Sequence, residues 1–265
     1  MAKRIDLSLP KEHGAWAMLF VPLAVGSLVA RRFNAPVVLV ILSATFVFIG
    51  RDSLLDWWRA INRKKTNAAA LRALLIYFGL ASVAALPLLV VYHLNLIAAF
   101  GLMAAILLGV NTAQATNRED RSILGEVLAI CGLTLGAPAV YYAATSRLDT
   151  VAALLWTMCA LFFTSSVFYV KFRVGSLNRR REDVRRRSWR NCAGYHAMLV
   201  VTLVGLWAAF GLKLFALVAF VPVLARSFWY LAKPEASLNL RRIGLLEIIY
   251  SVVFLVFVTL GLPPV

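Results

Sequence analysis

The feature that most constrains this chain is a succession of nine apolar stretches, at about 14–31, 35–50, 70–92, 95–112, 122–144, 150–172, 192–211, 212–231 and 243–262. A helix needs roughly 20 mostly apolar residues to cross the hydrocarbon of a bilayer. The shortest stretch, 35–50, reaches that length by continuing as helix into the polar segment after it. Little sequence remains outside these runs. A composition that is 62% hydrophobic, with a mean hydropathy of +0.80, leaves too few polar residues to coat a soluble bundle of this size. The expectation is an all-α membrane protein in which residues 1–265 form a single polytopic domain of about nine transmembrane helices. The first run is read as a retained helix rather than a signal peptide. Its polar lead carries Asp6 and Glu12, and no small-residue cleavage site follows it.

The formal net charge of +16 invites a nucleic-acid reading, but its placement argues against one. With the N-terminus in the cytoplasm, all of the 28 Lys and Arg except Arg31, Arg32, Arg147 and Lys213 fall on the inner side. That bias is the positive-inside rule. It predicts a cytoplasmic N-terminus and a C-terminus outside, with anionic lipid headgroups, and no nucleic acid, as partners of the basic face. Cys131, Cys159 and Cys192 fall in or beside the apolar runs with no CxxC spacing. They read as packing residues rather than a disulfide framework or zinc site.

The acids are more telling, because the topology rule largely ignores them. Asp149 alone lies on the outer side. In "GRDSLLDWWRAINRKKTN", Asp52, Asp56, Arg59 and Arg63 step by four, three and four, which places them on one helix face. Two readings follow. The pairs Asp56–Arg59 or Asp56–Arg63 can lock the helix end, or Asp52 and Asp56 can help hold Mg²⁺, which accepts one or two carboxylates plus substrate phosphates. The end of the sixth run, "FYVKFRVGSLNRRREDVRRRSWRN", carries Lys171 and Arg173, then seven arginines from Arg179 to Arg190. Arginine forks grip phosphate in bidentate fashion. The later arginines can equally grip bulk lipid phosphate, so Lys171 and Arg173 are the candidate substrate contacts.

Within the runs, Glu126 in "REDRSILGEVLAICGLTLGAP" and Glu247 in "RRIGLLEIIYSVVF" each follow an arginine by five residues. A charged group inside a span costs about 2.5–3.5 kcal/mol at the centre and less near the ends. Such groups face the bundle interior, either as a functional site or as an ion pair between helices. For Glu247 the candidate partner is Arg226. Asn111 and Gln114 add polar groups at the same depth and suit either a ligand or interhelical hydrogen bonds. His13, in "PKEHGAWAMLFVP", and His196 enter at that level too. Ionisable groups at six helix mouths, His13, Asp52, Glu126, Lys171, His196 and Glu247, predict a polar cavity that opens toward the cytoplasm.

"PKEHGAWAMLFVPLAVG", with "GEVLAICG" and "RRIGLLEIIYSVV", resembles the YwiC-like family of multi-pass bacterial membrane proteins, over essentially the whole chain. The resemblance implies a bacterial cytoplasmic membrane. More distantly, nine helices with polar motifs after the second and sixth resemble the UbiA-type membrane prenyltransferase superfamily. That likeness implies a UbiA-like helical bundle holding Mg²⁺-diphosphate through an NDxxDxxxD-like motif and a DxxxD-like motif, and passing a prenyl group to a membrane acceptor. Here Arg51 stands where the Asn would, only Asp52 and Asp56 remain of the first motif, and "NRRREDVRRR" contains no DxxxD.

Two functions from different classes are therefore expected. One is a transferase acting on a prenyl-diphosphate or other lipid-linked anionic substrate. Asp52 and Asp56 would hold Mg²⁺, and His13, Glu126 and Glu247 would handle protons. Lys171, Arg173, Arg59, Asn111, Gln114, His196 and Arg226 would bind substrate. The other is a non-enzymatic carrier of a small anion or lipid, or an accessory protein of a membrane complex. The charge distribution makes one immediate prediction. In a chain whose own cysteines are replaced, an impermeant thiol reagent added to intact cells should label Ser146→Cys and spare Asn178→Cys.

Overall fold

The computed structural model describes residues 13–116, 122–177, 181–233 and 239–262. Among them every element is helical, in the order α1 (His13–Ala30), α2 (Ala35–Asn62), α3 (Ala68–Val90), α4 (Leu96–Thr116), α5 (Ile123–Thr134), α6 (Gly136–Thr145), α7 (Thr150–Ser176), α8 (Glu182–Phe210), α9 (Leu214–Val218), α10 (Val221–Ala232) and α11 (Leu240–Gly261). Eight spans among the described residues are long and apolar enough to cross a membrane, and Gly14–Ala30 is a shorter ninth apolar helix. The chain is a multi-pass integral membrane protein. α2 runs on through Asn62, as the short run 35–50 required. Outward-facing Val83, Val201 and Leu75 are 70%, 72% and 64% exposed, which in this setting means exposed to lipid.

Two of the spans are broken, and proline explains both. Pro138 has no N–H and its ring crowds the carbonyl four residues back, at Thr134, which is the last residue of α5. Pro222 stands in the same relation to Val218, the last residue of α9. Thr134 Oγ1 donates to Ile130 O at 2.8 Å, so its hydroxyl is satisfied within α5. Two of the connections are tight turns. His93 turns the chain between α3 and α4 with φ +53°, and Gly211 turns it between α8 and α9 with φ +60°.

Packing divides the chain into two compact units, Met1–Trp156 and Thr157–Val265. In the first, α2 lies along α3 and α6, α1 lies along α6, and α4 lies along α5. Close approach of α1 to α6 depends on small residues, since a Cβ at Gly26 would overlap the Ala137 carbonyl. α2 ends in a Schellman motif: Lys65 N–H donates to Ala60 O at 2.9 Å and Lys64 N–H to Ile61 O at 2.8 Å. The left-handed position is filled by Lys64, φ +52°, where glycine would avoid a cost of about 1–2 kcal/mol. Asp149, the lone acid assigned to the outer side, has a structural use here. It accepts from Tyr141 Oη at 2.9 Å and from the N–H groups of Val151 and Ala152.

In the second unit α9 packs on α11 and α8 on α10. Phe162 of α7, Phe254 of α11 and Phe220 between α9 and α10 form a buried aromatic core, with Phe162 and Phe254 stacked at 4.2 Å. A Cβ at Gly261 would strike Ala216, so the contact between α9 and α11 also relies on glycine. A Cβ at Gly79, by contrast, would meet nothing within 4 Å. Detergent-solubilised Gly26→Ala and Gly261→Ala should each lose about 1–3 kcal/mol in thermal unfolding. Gly79→Ala should match or exceed the parent stability.

Candidate functional site

The second unit buries two guanidinium groups, those of Arg173 and Arg226. Ser166, Tyr169 and Arg173 step by three and four residues along α7 and so share a face. Arg226, Ser227 and Tyr230 come from α10, and Glu247 and Tyr250 lie well inside α11. Arg226, with its side chain 4% exposed, is ion-paired to Glu247, and the Ser166 hydroxyl donates to the other oxygen of that carboxylate. The Arg226–Glu247 partnership anticipated from sequence is thus present. Arg226 also lies over the Tyr169 ring at 3.8 Å and near Tyr250 at 5.1 Å. Arg173, itself buried, lies over Tyr230 at 4.1 Å. Tyr169 and Tyr230 are in ring contact at 5.8 Å. A desolvated cation–π contact contributes about 2 kcal/mol, which helps offset the burial of these charges.

Three buried polar atoms of this cluster, Arg226 Nε, Arg226 Nη2 and Ser227 Oγ, have no hydrogen-bond partner among the described residues. Beside it, His196 is fully buried on α8. A carbonyl can only accept, so His196 Nδ1–H donates to Cys192 O at 2.8 Å. In the neutral ring, Nε2 then accepts from the Ser165 hydroxyl at 2.9 Å. Both ring nitrogens are used, and Tyr195 and Phe228 pack edge-on to the ring.

In the first unit the candidates form a different arrangement. Arg51 Nη2 donates to Asn111 Oδ1 at 3.0 Å, and Asn111 Nδ2 donates to Gly125 O at 3.2 Å, which ties α2, α4 and α5 together. Asn111 is buried and makes the interhelical hydrogen bonds that were one of its two readings. Asp52 contacts Arg51 at 3.5 Å, and Asp56 lies 4.0 Å from Arg59. Arg59 Nη2 reaches Ala115 O at 3.5 Å. Asp56, Arg59 and Arg63, the last just past the end of α2, line a cleft of about 860 Å³, and Asp52 is not part of that lining. Glu126 is half-buried in the first turn of α5, where the helix dipole favours a carboxylate. Gln114 is half-buried with Oε1 unpartnered among the described residues, and Lys171 is half-buried on α7. His13 opens α1, but its side chain lies outside the described residues, as do Arg179 and Arg180.

Among the described residues no three His, Cys, Asp or Glu side chains gather in a way that could hold a metal ion. Asp52 and Asp56 are each within ion-pair reach of an arginine. The sequence reading missed Tyr169, Tyr230, Tyr250, Ser166 and Ser227. A signal was available in the four-residue steps Tyr169–Arg173 and Arg226–Tyr230.

The family model for YwiC-like proteins matches residues 9–141. The uncharacterized protein YwiC of Bacillus subtilis (strain 168) is 27% identical over 250 residues, which cover 93% of this chain and 95% of that protein. No solved structure matches the chain. The residues matched by the family model lie in the first unit, whereas the buried arginines lie in the second.

Removing one partner of a buried ion pair costs about 3–5 kcal/mol, because the other charge is left uncompensated. Arg226→Gln and Glu247→Gln should each lower the unfolding temperature in detergent sharply. The double variant should lose clearly less than the sum of the two.

Proposed function

The chain belongs to the YwiC-like protein family, and from that premise we propose that it binds a lipid-linked anionic substrate, a prenyl diphosphate or a chemical relative, in the polar site of its second unit. We place it in a bacterial cytoplasmic membrane with the N-terminus inside. The observation that carries the reading is the set of buried, unpartnered donors at Arg226 and Ser227. An unsatisfied polar group in hydrocarbon costs several kcal/mol, and phosphoryl oxygens are acceptors that a guanidinium fork fits. Arg173, one turn along α7 from Tyr169 and itself buried, supplies further positive charge. In the UbiA-like reaction the bond between the prenyl carbon and the diphosphate oxygen breaks and diphosphate leaves with the electron pair. The prenyl carbon then bonds an acceptor nucleophile, whose proton passes to a base. Mg²⁺ bound to the diphosphate oxygens themselves would shield the leaving group.

The second reading, a carrier of an anion or lipid or an accessory protein, is favoured by a specific observation. His196 has both ring nitrogens bonded, and Glu247 is held by Arg226 and Ser166. Neither is poised to take a proton. The two readings part on measurement. Purified protein with geranylgeranyl diphosphate should show a rise in unfolding temperature that Arg226→Lys removes. If the rise also requires Mg²⁺ and a prenylated product forms with a membrane extract as acceptor source, the protein is a transferase. Stabilisation without Mg²⁺ or product indicates the carrier, and no stabilisation by this or other lipid phosphates overturns the site.

A further inference from the structure

A second anion site lies in the first unit, on elements that contribute nothing to the cluster of buried arginines. The cleft at the end of α2 is lined by Asp56, Arg59, Asn62, Arg63, Lys65 and Asn67, with Ala115 and Thr116 of α4 closing it. Its described lining carries more cations than carboxylates. Among the described lining residues Asp56 is the one carboxylate and lies 4.0 Å from Arg59, while Arg63 and Lys65 are in no ion pair among the described residues. Backbone geometry rather than side-chain flexibility sets where these cations start. Arg63 caps α2 and bonds back to Arg59 O and Ala60 O, and Lys65 N–H is held by Ala60 O at 2.9 Å. Arg59 is fixed across the cleft by its bond to Ala115 O. Asn67 Oδ1 caps α3 by accepting from Ala70 N–H at 3.1 Å, which leaves its amide N–H groups as donors.

We propose that this cleft binds the phosphate group of an acidic phospholipid at the membrane surface. Position favours a lipid over a soluble anion. The apolar body of α3 begins one residue beyond Asn67, and Trp57 and Trp58 lie beside the cleft-lining turn of α2, with Trp58 40% exposed. Tryptophans at that place mark the headgroup level. A headgroup phosphate in the cleft would meet Arg63 and Lys65, while its acyl chains run down an apolar helix surface. The basic cleft then acts as a specific lipid seat and not only as part of a diffuse positive face.

The test compares the full-length protein in a neutral detergent with added phosphatidylglycerol, phosphatidylcholine or inorganic phosphate. Phosphatidylglycerol should raise the unfolding temperature by roughly 5 °C, and phosphatidylcholine should raise it far less. Arg63→Gln/Lys65→Gln, at exposed positions, should fold normally and lose most of that shift. Arg187→Gln/Arg190→Gln, which removes the same charge elsewhere, should keep it, as should Arg226→Gln relative to its own lower baseline. An equal shift with inorganic phosphate, lost in the cleft variant, would keep the phosphate site but reject the lipid as its source. No shift with either, or a shift that survives Arg63→Gln/Lys65→Gln, overturns the proposal.

Discussion

Inside a bilayer there is no water to complete a hydrogen bond, so each polar atom must find its partner in the chain itself or in something bound to it. That constraint organises what is seen here. Backbone groups are satisfied by helix formation, and where proline interrupts a span the break falls at the carbonyl the ring would strike. Threonine and serine hydroxyls turn back on their own helices, as at Thr45, Ser82, Thr112 and Ser251. Against that uniformity, Arg226 and Ser227 stand out because they keep buried donors in reserve.

The helical architecture was largely legible in the sequence, because length and hydropathy alone decide what can cross a membrane. The nine runs correspond closely to the observed spans, and the extension of α2 past residue 50 followed from the polar but helix-forming segment after it. The breaks at Leu135 and around Ala219 were not foreseen, although Pro138 and Pro222 were visible. A proline is tolerated inside α1 at Pro22 and α3 at Pro87, so its presence does not by itself announce a break.

The candidate site was legible only in part. A glutamate inside an apolar run needs a partner, and that reasoning found Arg226 for Glu247. It did not find the tyrosines, because an aromatic residue in a membrane helix is ordinary and carries no signal until its neighbour across the bundle is known. It also left Asn111 open between ligand binding and packing, and only the contacts to Arg51 and Gly125 choose between them. Periodicity places residues on a face but says nothing of which helix that face meets.

The pairing of arginine with tyrosine between α7 and α10 also carries directional information. Tyr169 meets Arg226 and Arg173 meets Tyr230, so residue numbers climb together along the two helices. Helices matched in this sense run parallel, and two successive parallel crossings oblige the intervening α8 to traverse in reverse. Parity therefore puts the ends of α7 and α10, near Ser176 and Ala232, on one surface of the bilayer and the Gly211 turn on the other. That conclusion comes from two ring stacks alone, without any appeal to where the lysines and arginines accumulate.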